Sequence, residues 1–346
     1  MIECEDCLLG VPENREILRT ILGWAEKYGI EPYDEVSGGG ILRHILLRKG
    51  FRSGQHMACL VINAEMLPHA LELTELLCGE TSMQHTPEDR KEQAAGAALP
   101  CPHIDSLSFS VNTSRDNVIM GSRIVDLYGP GYIEDSIGDV RFRISPLSFY
   151  QVNPAQTEKM YSAALEFAEL GGTENVWDLY CGIGTISLFL ARRAKHVYGV
   201  EIVPEAIRDA RKNAALNGIE NAEFFTGAAE DVLPAWYAAH PEERIDVVCV
   251  DPPRKGCDEK CLETIVRMQP DRLVYVSCDS ATLARDIKYL RAHGYELRRV
   301  RAIDNFGMTV HVEVVCQLSN QRKRPDSYVK LEVDAEDYYR IKDGEK

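Results

Sequence analysis

Beyond Ser145 the chain alternates strand-like apolar runs with helical patterns, and this rhythm restricts the fold more than any other feature of its 346 residues. The runs are 176–180, 197–201, 222–226, 247–251 and 273–277. Strands that each hand over to a helix predict a parallel, doubly wound sheet. Asn153 followed by Pro154 is a cap and first-turn signature, opening a helix to about Leu170. Runs 297–303 and 310–318 follow the last helix with no helix between them, which predicts a closing antiparallel hairpin.

The first part of the chain reads differently. Ile17, Leu18, Ile21, Leu22 and Ala25 form one helical stripe, and residues 67–77 have helical spacing too. Residues 41–47, 58–63, 106–112 and 117–121 are strand-like. These elements predict an α+β module, an antiparallel sheet with helices on one face. Residues 79–104 hold a polar stretch expected to be a mobile surface insertion. The expected division is a smaller α+β domain over 1–143, a doubly wound α/β domain over 144–318 and a charged tail over 319–346.

Composition narrows the class. No apolar run approaches the roughly 20 residues of a membrane helix, and Met1 to Asp6 form an acidic start without a signal-peptide core. A cytoplasmic location is expected. Eleven scattered cysteines suit reduced thiols, not a disulfide framework. Cys4 and Cys7 lack a matching second pair, so no metal site is expected. The net charge of −15 argues mildly against a nucleic-acid partner. Three basic clusters oppose it: Arg43, Arg48, Lys49 and Arg52; Arg298, Arg299 and Arg301; and Arg322, Lys323 and Arg324. Each alone reads as a solvated face; together they make a local footprint for RNA.

Five motifs carry chemistry. The sequence Asp178-Leu179-Tyr180-Cys181-Gly182-Ile183-Gly184-Thr185 ends the first strand of the second domain. Glycines there let a ligand approach the backbone, and Glu201 ends the next strand, where an acidic residue can bind ribose hydroxyls. Ser187 stands where a dinucleotide fingerprint has its third glycine, which argues against NAD. Val250-Asp251-Pro252-Pro253-Arg254-Lys255-Gly256 ends the fourth strand, the expected neighbour of the first across the switch point. Val274-Tyr275-Val276-Ser277-Cys278-Asp279-Ser280 puts a thiol at the end of the fifth, where a nucleophile belongs. In His311-Val312-Glu313, strand alternation would put His311 and Glu313 on one face, with an edge-strand charge an equal reading. Ser148-Phe149-Tyr150-Gln151-Val152-Asn153 precedes the first helix of the second domain.

In this order the motifs resemble the RNA uracil-5-methyltransferase family, and they look most like its bacterial enzymes for 23S ribosomal RNA. The transfer-RNA enzyme is a more distant likeness. The resemblance spans 1–318 and is strongest over 144–290. It implies a class I S-adenosylmethionine-dependent methyltransferase domain with an antiparallel last strand, preceded by a central domain that helps hold RNA. It also implies that Cys278 is the nucleophile and Glu313 the general base. Gln151, Tyr180, Gly182, Gly184, Thr185, Glu201 and Asp251 would serve the cofactor, S-adenosyl-L-methionine.

Three departures stand out. Ser277-Cys278-Asp279-Ser280 replaces the family's S-C-N-P, and a carboxylate at Asp279 pointing inward would raise the thiol pKa. Asp304-Asn305-Phe306-Gly307-Met308-Thr309 replaces D-M-F-P-H-T, and Gly307 would loosen a loop that proline stiffens. Ribosomal members commonly begin with a β-barrel RNA-binding domain, and many hold an iron–sulfur cluster through four cysteines. Here only Cys7 matches a ligand, so no cluster is expected. The alternatives are a transfer-RNA uridine methyltransferase, an amine methyltransferase that uses the D-P-P turn without Cys278, and an RNA-binding paralogue with impaired catalysis.

Overall fold

The computed structural model describes residues 10–79, 101–307 and 309–321. Cys4, Cys7, most of the 79–104 stretch and Arg322, Lys323 and Arg324 lie outside them. In the first module, α1 (Asn14–Lys27) buries the face formed by Ile17, Ile21, Trp24 and Ala25. Its sheet runs β1 (Leu42–Lys49), β2 (His56–Ile62), β3 (Ser106–Val111) and β4 (Arg123–Tyr128), with α2 (Ala70–Cys78) between β2 and β3. The sheet is mixed, not antiparallel as expected: β2 and β3 run parallel, while β1–β2 and β3–β4 are antiparallel. The reason is the connection, since a crossover containing α2 returns the chain to the same end of the sheet. Ala58, Leu60 and Ile62 of β2 pack with α1 and α2 in one core, whereas Met57 packs into the core of the second domain.

The expected strand at 117–121 is a loop, and β4 begins at Arg123. The Asn112 side-chain amide donates to the carbonyls of Val118 (2.6 Å) and Ile119 (2.9 Å). Those carbonyls are thereby taken from any sheet ladder. The sequence reading also missed a hairpin, β5 (Ile133–Ile137) and β6 (Val140–Ile144). Ile133, Ile137, Val140, Phe142 and Ile144 join the same core as Met160 and Ile186 of the second domain.

The second domain contains α3 (Pro154–Ala168), β7 (Asn175–Leu179), α4 (Thr185–Ala191), β8 (His196–Glu201), α5 (Pro204–Leu216) and β9 (Ala222–Thr226). It continues with α6 (Ala229–Ala239), β10 (Val247–Val250), α7 (Glu259–Met268), β11 (Arg272–Ser277), α8 (Ser280–Ala292), β12 (Tyr295–Ile303) and β13 (Glu313–Asn320). The Asn153 side chain accepts from the Gln156 amide and caps α3, as the Asn-Pro pair suggested. The sheet order is β12-β13-β11-β10-β7-β8-β9. The strands from β7 to β11 are parallel, and β13 is antiparallel to both β11 and β12. Alternation along β7 sends Val176 into a core with α3, α4 and α5, and Trp177 into a second core with α6, α7 and α8. The order reverses between β7 and β10, and the crevice outside their carboxyl ends is where such sheets bind ligands.

The last strand begins later than the sequence suggested. His311 is exposed and precedes β13, so it shares no strand face with Glu313. Hydrogen bonds from the Thr309 amide to the Phe306 carbonyl and from the His311 amide to the Thr309 hydroxyl hold this stretch in turns.

Phe142 is fully buried in the second-domain core. Phe142→Ala is expected to cost about 3–5 kcal/mol in urea unfolding. A loss below about 1 kcal/mol would mean that the hairpin is peripheral to that core.

Candidate active site

A cavity of about 600 Å³ opens at the carboxyl ends of the parallel strands. Its wall brings together Gln151, Tyr180, Gly182, Glu201, Asp251, Cys278 and Glu313. Sequence separation hides how these meet. In β11 and β13 the antiparallel register ends on the pair Ser277 and Val314. One step beyond that pair, Cys278 follows β11 and Glu313 begins β13, and both line the cavity. Asp251 follows Val250, which pairs with Leu179 on one side and Tyr275 on the other.

Gly184 and Thr185 are not on the cavity wall. Gly184 precedes α4 at φ +83°, and a Cβ there would meet the Phe224 ring at 3.3 Å and Ala210 at 3.4 Å. Its place demands glycine for backbone conformation and packing. Gly182, at φ +56°, would put a Cβ into open space on the cavity side. Gly182 is therefore the glycine that leaves room for a ligand. Its amide donates to Glu201 Oε2 (3.3 Å), and the Val203 amide donates to Oε1 (3.0 Å). Gln151 is buried and accepts at Oε1 from the Asn305 side-chain amide (3.1 Å).

The cavity also holds residues the sequence reading left out. Phe149, Phe306, Arg254 and Lys255 line it, as do residues 227–230 after β9. Phe149 is 69% exposed, an aromatic face available for stacking. Arg254 and Lys255 sit inside the D-P-P-R-K-G motif itself, and a reading of its charges as well as its aspartate would have found them.

Electrostatics at the wall follow from burial. Burial pushes the Asp251 carboxyl up to about 8, with the Glu313 and Asp178 charges adding to it. Fully buried Asp178 is raised to about 7 by desolvation, opposed by hydrogen bonds from Ser187. Burial raises Glu313 as well, and the Arg254 charge opposes it. For Cys278, burial leads, the Glu313 and Asp251 charges raise the thiol pKa further, and Arg254 lowers it. Asp279 is not among the causes. Its side chain accepts from the amides of Ala281 (3.0 Å) and Thr282 (2.9 Å) and caps α8. The departure at Asp279 thus serves the helix, its carboxylate engaged by backbone amides of the first turn.

The two basic clusters within the described residues are internally engaged. Arg43 donates to the carbonyls of Asn112 and Ser114, and Arg48 to that of Ser148. Lys49 pairs with Glu13, and Arg52 with Glu158. Arg298 pairs with Glu296, Arg299 with Glu166 and Glu169, and Arg301 with Glu166.

Raised carboxyl pKa values set a pH trend. At Asp178 and Asp251 the folded chain holds protons that the unfolded chain has lost, from the ordinary aspartate range up to about pH 7 and 8 respectively. Stability is thus expected to fall as pH rises through that window. Asp251→Asn removes one such ionisation, so its stability gain over the parent in urea unfolding should be larger near pH 8.5 than near pH 5. An equal difference at both pH values would refute the assignment.

A family model described as tRNA (Uracil-5-)-methyltransferase matches residues 132–321. An uncharacterized RNA methyltransferase of Halalkalibacterium halodurans is 49% identical over 318 residues, covering 92% of this chain and 65% of that protein. An uncharacterized RNA methyltransferase of Clostridium acetobutylicum is 45% identical over 317 residues, covering 91% of this chain and 64% of that protein. The chain thus spans about two thirds of the length of these curated relatives. Among solved structures, the Pyrococcus abyssi tRNA (uracil-54, C5)-methyltransferase in complex with S-adenosyl-L-homocysteine superposes with a TM-score of 0.73 at 28% identity. That match covers 92% of this chain and 70% of the Pyrococcus chain. Matched by its family model over more than half its length, the chain belongs to the tRNA (Uracil-5-)-methyltransferase family.

Proposed function

We propose that this protein methylates carbon 5 of a uridine in RNA, using S-adenosyl-L-methionine and a covalent adduct through Cys278. One observation carries the reading: Cys278 and Glu313, each one step beyond the Ser277–Val314 pair, line a cavity that also holds Gly182, Glu201 and Asp251. The cofactor fits this wall on two counts. Gly182 leaves open space beside the strand end, and Glu201 offers a carboxylate to ribose hydroxyls. Gln151, Tyr180 and Asp251 complete the set that would hold it, with Gly184 and Thr185 shaping the loop from behind. When bound, S-adenosyl-L-methionine supplies an electrophilic methyl group.

The chain's own residues do the rest. Uracil carbon 5 is a weak nucleophile. Cys278 Sγ, as thiolate, adds to carbon 6, and the electron pair of the 5,6 double bond moves toward carbon 5 and the carbon-4 oxygen. Carbon 5 then takes the methyl group. Glu313 removes the carbon-5 proton, the 5,6 double bond reforms and the bond to Cys278 breaks. Burial that raises Glu313 makes it a stronger base for this step. The target base must leave its stack to reach the cavity, and exposed Phe149 offers it a stacking face. The motif set over 144–290 resembles that of the ribosomal enzymes, so 23S ribosomal RNA is the proposed substrate. The Pyrococcus neighbour acts on transfer RNA, and both RNAs belong in the assay.

Cys278→Ala should abolish methylation and any covalent RNA complex. Glu313→Gln should instead accumulate a methylated RNA–protein adduct that survives denaturation, seen by mass spectrometry. Methylation by Cys278→Ala, or normal turnover by Glu313→Gln without adduct, would refute the mechanism. For the cofactor, Gly182→Val should block binding in calorimetry, and Glu201→Ala should weaken it by about 1–3 kcal/mol. Unchanged affinity in both would put the cofactor elsewhere.

A further inference from the structure

The helix that follows the nucleophile holds the loop that follows Asp251, through three side chains to which the proposed mechanism gives no part. The Thr282 hydroxyl donates to the Arg254 carbonyl (2.9 Å). Arg285 Nη2 donates to the carbonyls of Lys255 (2.9 Å) and Cys257 (3.3 Å). Asp286 is fully buried and accepts from the Cys257 amide (2.9 Å), the Tyr275 hydroxyl (2.7 Å) and Arg285 (2.8 Å). The fit is tight. A Cβ on Gly256 would lie 2.6 Å from Arg285 Nη2 and 2.6 Å from Asp286 Oδ2.

This network fixes the backbone of residues 254–257 and leaves side chains of the same loop facing the cavity. Arg254 lines the cavity with Cys278 and Glu313. Among the described residues no hydrogen bond or ion pair holds its guanidinium, so its place depends on its backbone. Cys278 directly precedes Asp279, the cap of the helix that carries all three side chains. Nucleophile and cation are thus registered to one rigid element.

We propose that Thr282, Arg285 and Asp286 are positioning residues that clamp residues 254–257, so that the Arg254 cation is held at the cavity wall beside Cys278. The charge placed there favours the thiolate, whose own surroundings, burial and two carboxylates, oppose it. The inference deepens the covalent reading and rests on it for its role in the reaction. The clamp itself can be tested without RNA.

The test is the pH dependence of Cys278 alkylation by iodoacetamide, followed by mass spectrometry of the peptide carrying Cys278. The variants are Thr282→Val, Thr282→Ser, Arg285→Lys, Arg254→Gln, and Arg254→Gln with Thr282→Val. Thr282→Val and Arg285→Lys should move the profile to higher pH, in the direction of Arg254→Gln, with alkylation roughly threefold slower near pH 8. Thr282→Ser keeps the hydroxyl and should overlay the parent. The double variant should be no slower than Arg254→Gln alone, because the clamp acts through Arg254. A Thr282→Val profile coinciding with the parent's, an equal slowing at every pH, or additive effects in the double variant would overturn the clamp. Incubation of the parent with 5-fluorouridine RNA and cofactor separates the two claims: alkylation as expected without an RNA adduct sinks the covalent reading and leaves the clamp standing.

Discussion

The antiparallel insertion of β13 between β11 and β12 is the constraint on which the site depends. A wholly parallel sheet would bring only strand carboxyl ends to the crevice. Reversing one strand brings an amino end there instead, and Glu313 is the first residue of that strand. The register pairs Ser277 with Val314, so Glu313 begins its strand beside the point where the chain leaves the neighbouring strand at Cys278. A shift of one residue would turn Glu313 to the other face of the sheet. The turn bonds from the Thr309 amide to the Phe306 carbonyl and from the His311 amide to the Thr309 hydroxyl lead the chain into the strand at this register. Asn305 ties the same segment to Gln151 and, through its carbonyl, to the side chain of Asn153 (3.2 Å).

Concentrating carboxylates at one crevice has an electrostatic consequence. Asp178, Asp251 and Glu313 are all raised, chiefly by burial. The Glu313 and Asp251 charges also work against ionisation of Cys278. Among the described residues, Arg254 is the cation whose charge lowers both the thiol and Glu313. Buried ionisable groups gathered in a cleft cost resting stability, a pattern common at functional sites.

The first module is built into the second domain through charge as well as apolar contact. Arg48 reaches from β1 to the Ser148 carbonyl at the head of the S-F-Y-Q-V-N segment (2.6 Å). Arg52 bonds the Gly138 carbonyl in the hairpin and Glu158 on α3. The amides of Phe51 and Arg52 donate to buried Asp135 on β5 (3.0 and 2.9 Å). Cations that read as an RNA-facing run thus serve as an internal seam, and Phe149 and Gln151 follow directly after the segment that the seam holds.

Periodicity and motif order determined a good deal by themselves. The alternation after Ser145 was enough for the doubly wound sheet, because each strand's apolar run and each crossover helix is a local pattern. The D-P-P and S-C motifs were legible because a strand end at the switch point is a place as well as a sequence. Pattern alone left Glu313 evenly balanced between a site residue and an edge-strand charge until the family resemblance favoured the former, and its nearness to Cys278 at the cavity was not legible at all, since strand pairing joins residues far apart in the chain. The parallel pairing of β2 with β3 and the hairpin at 133–144 escaped for the same reason. Side-chain direction was the other thing that only the tertiary structure decided. Asp279 turned to cap a helix, Gly184 packed against Phe224, and Arg48, Arg52 and Arg299 found carboxylates and carbonyls on other elements. Each outcome depends on which partner the fold brings within hydrogen-bond reach, and that distance is not written in any local stretch of the chain.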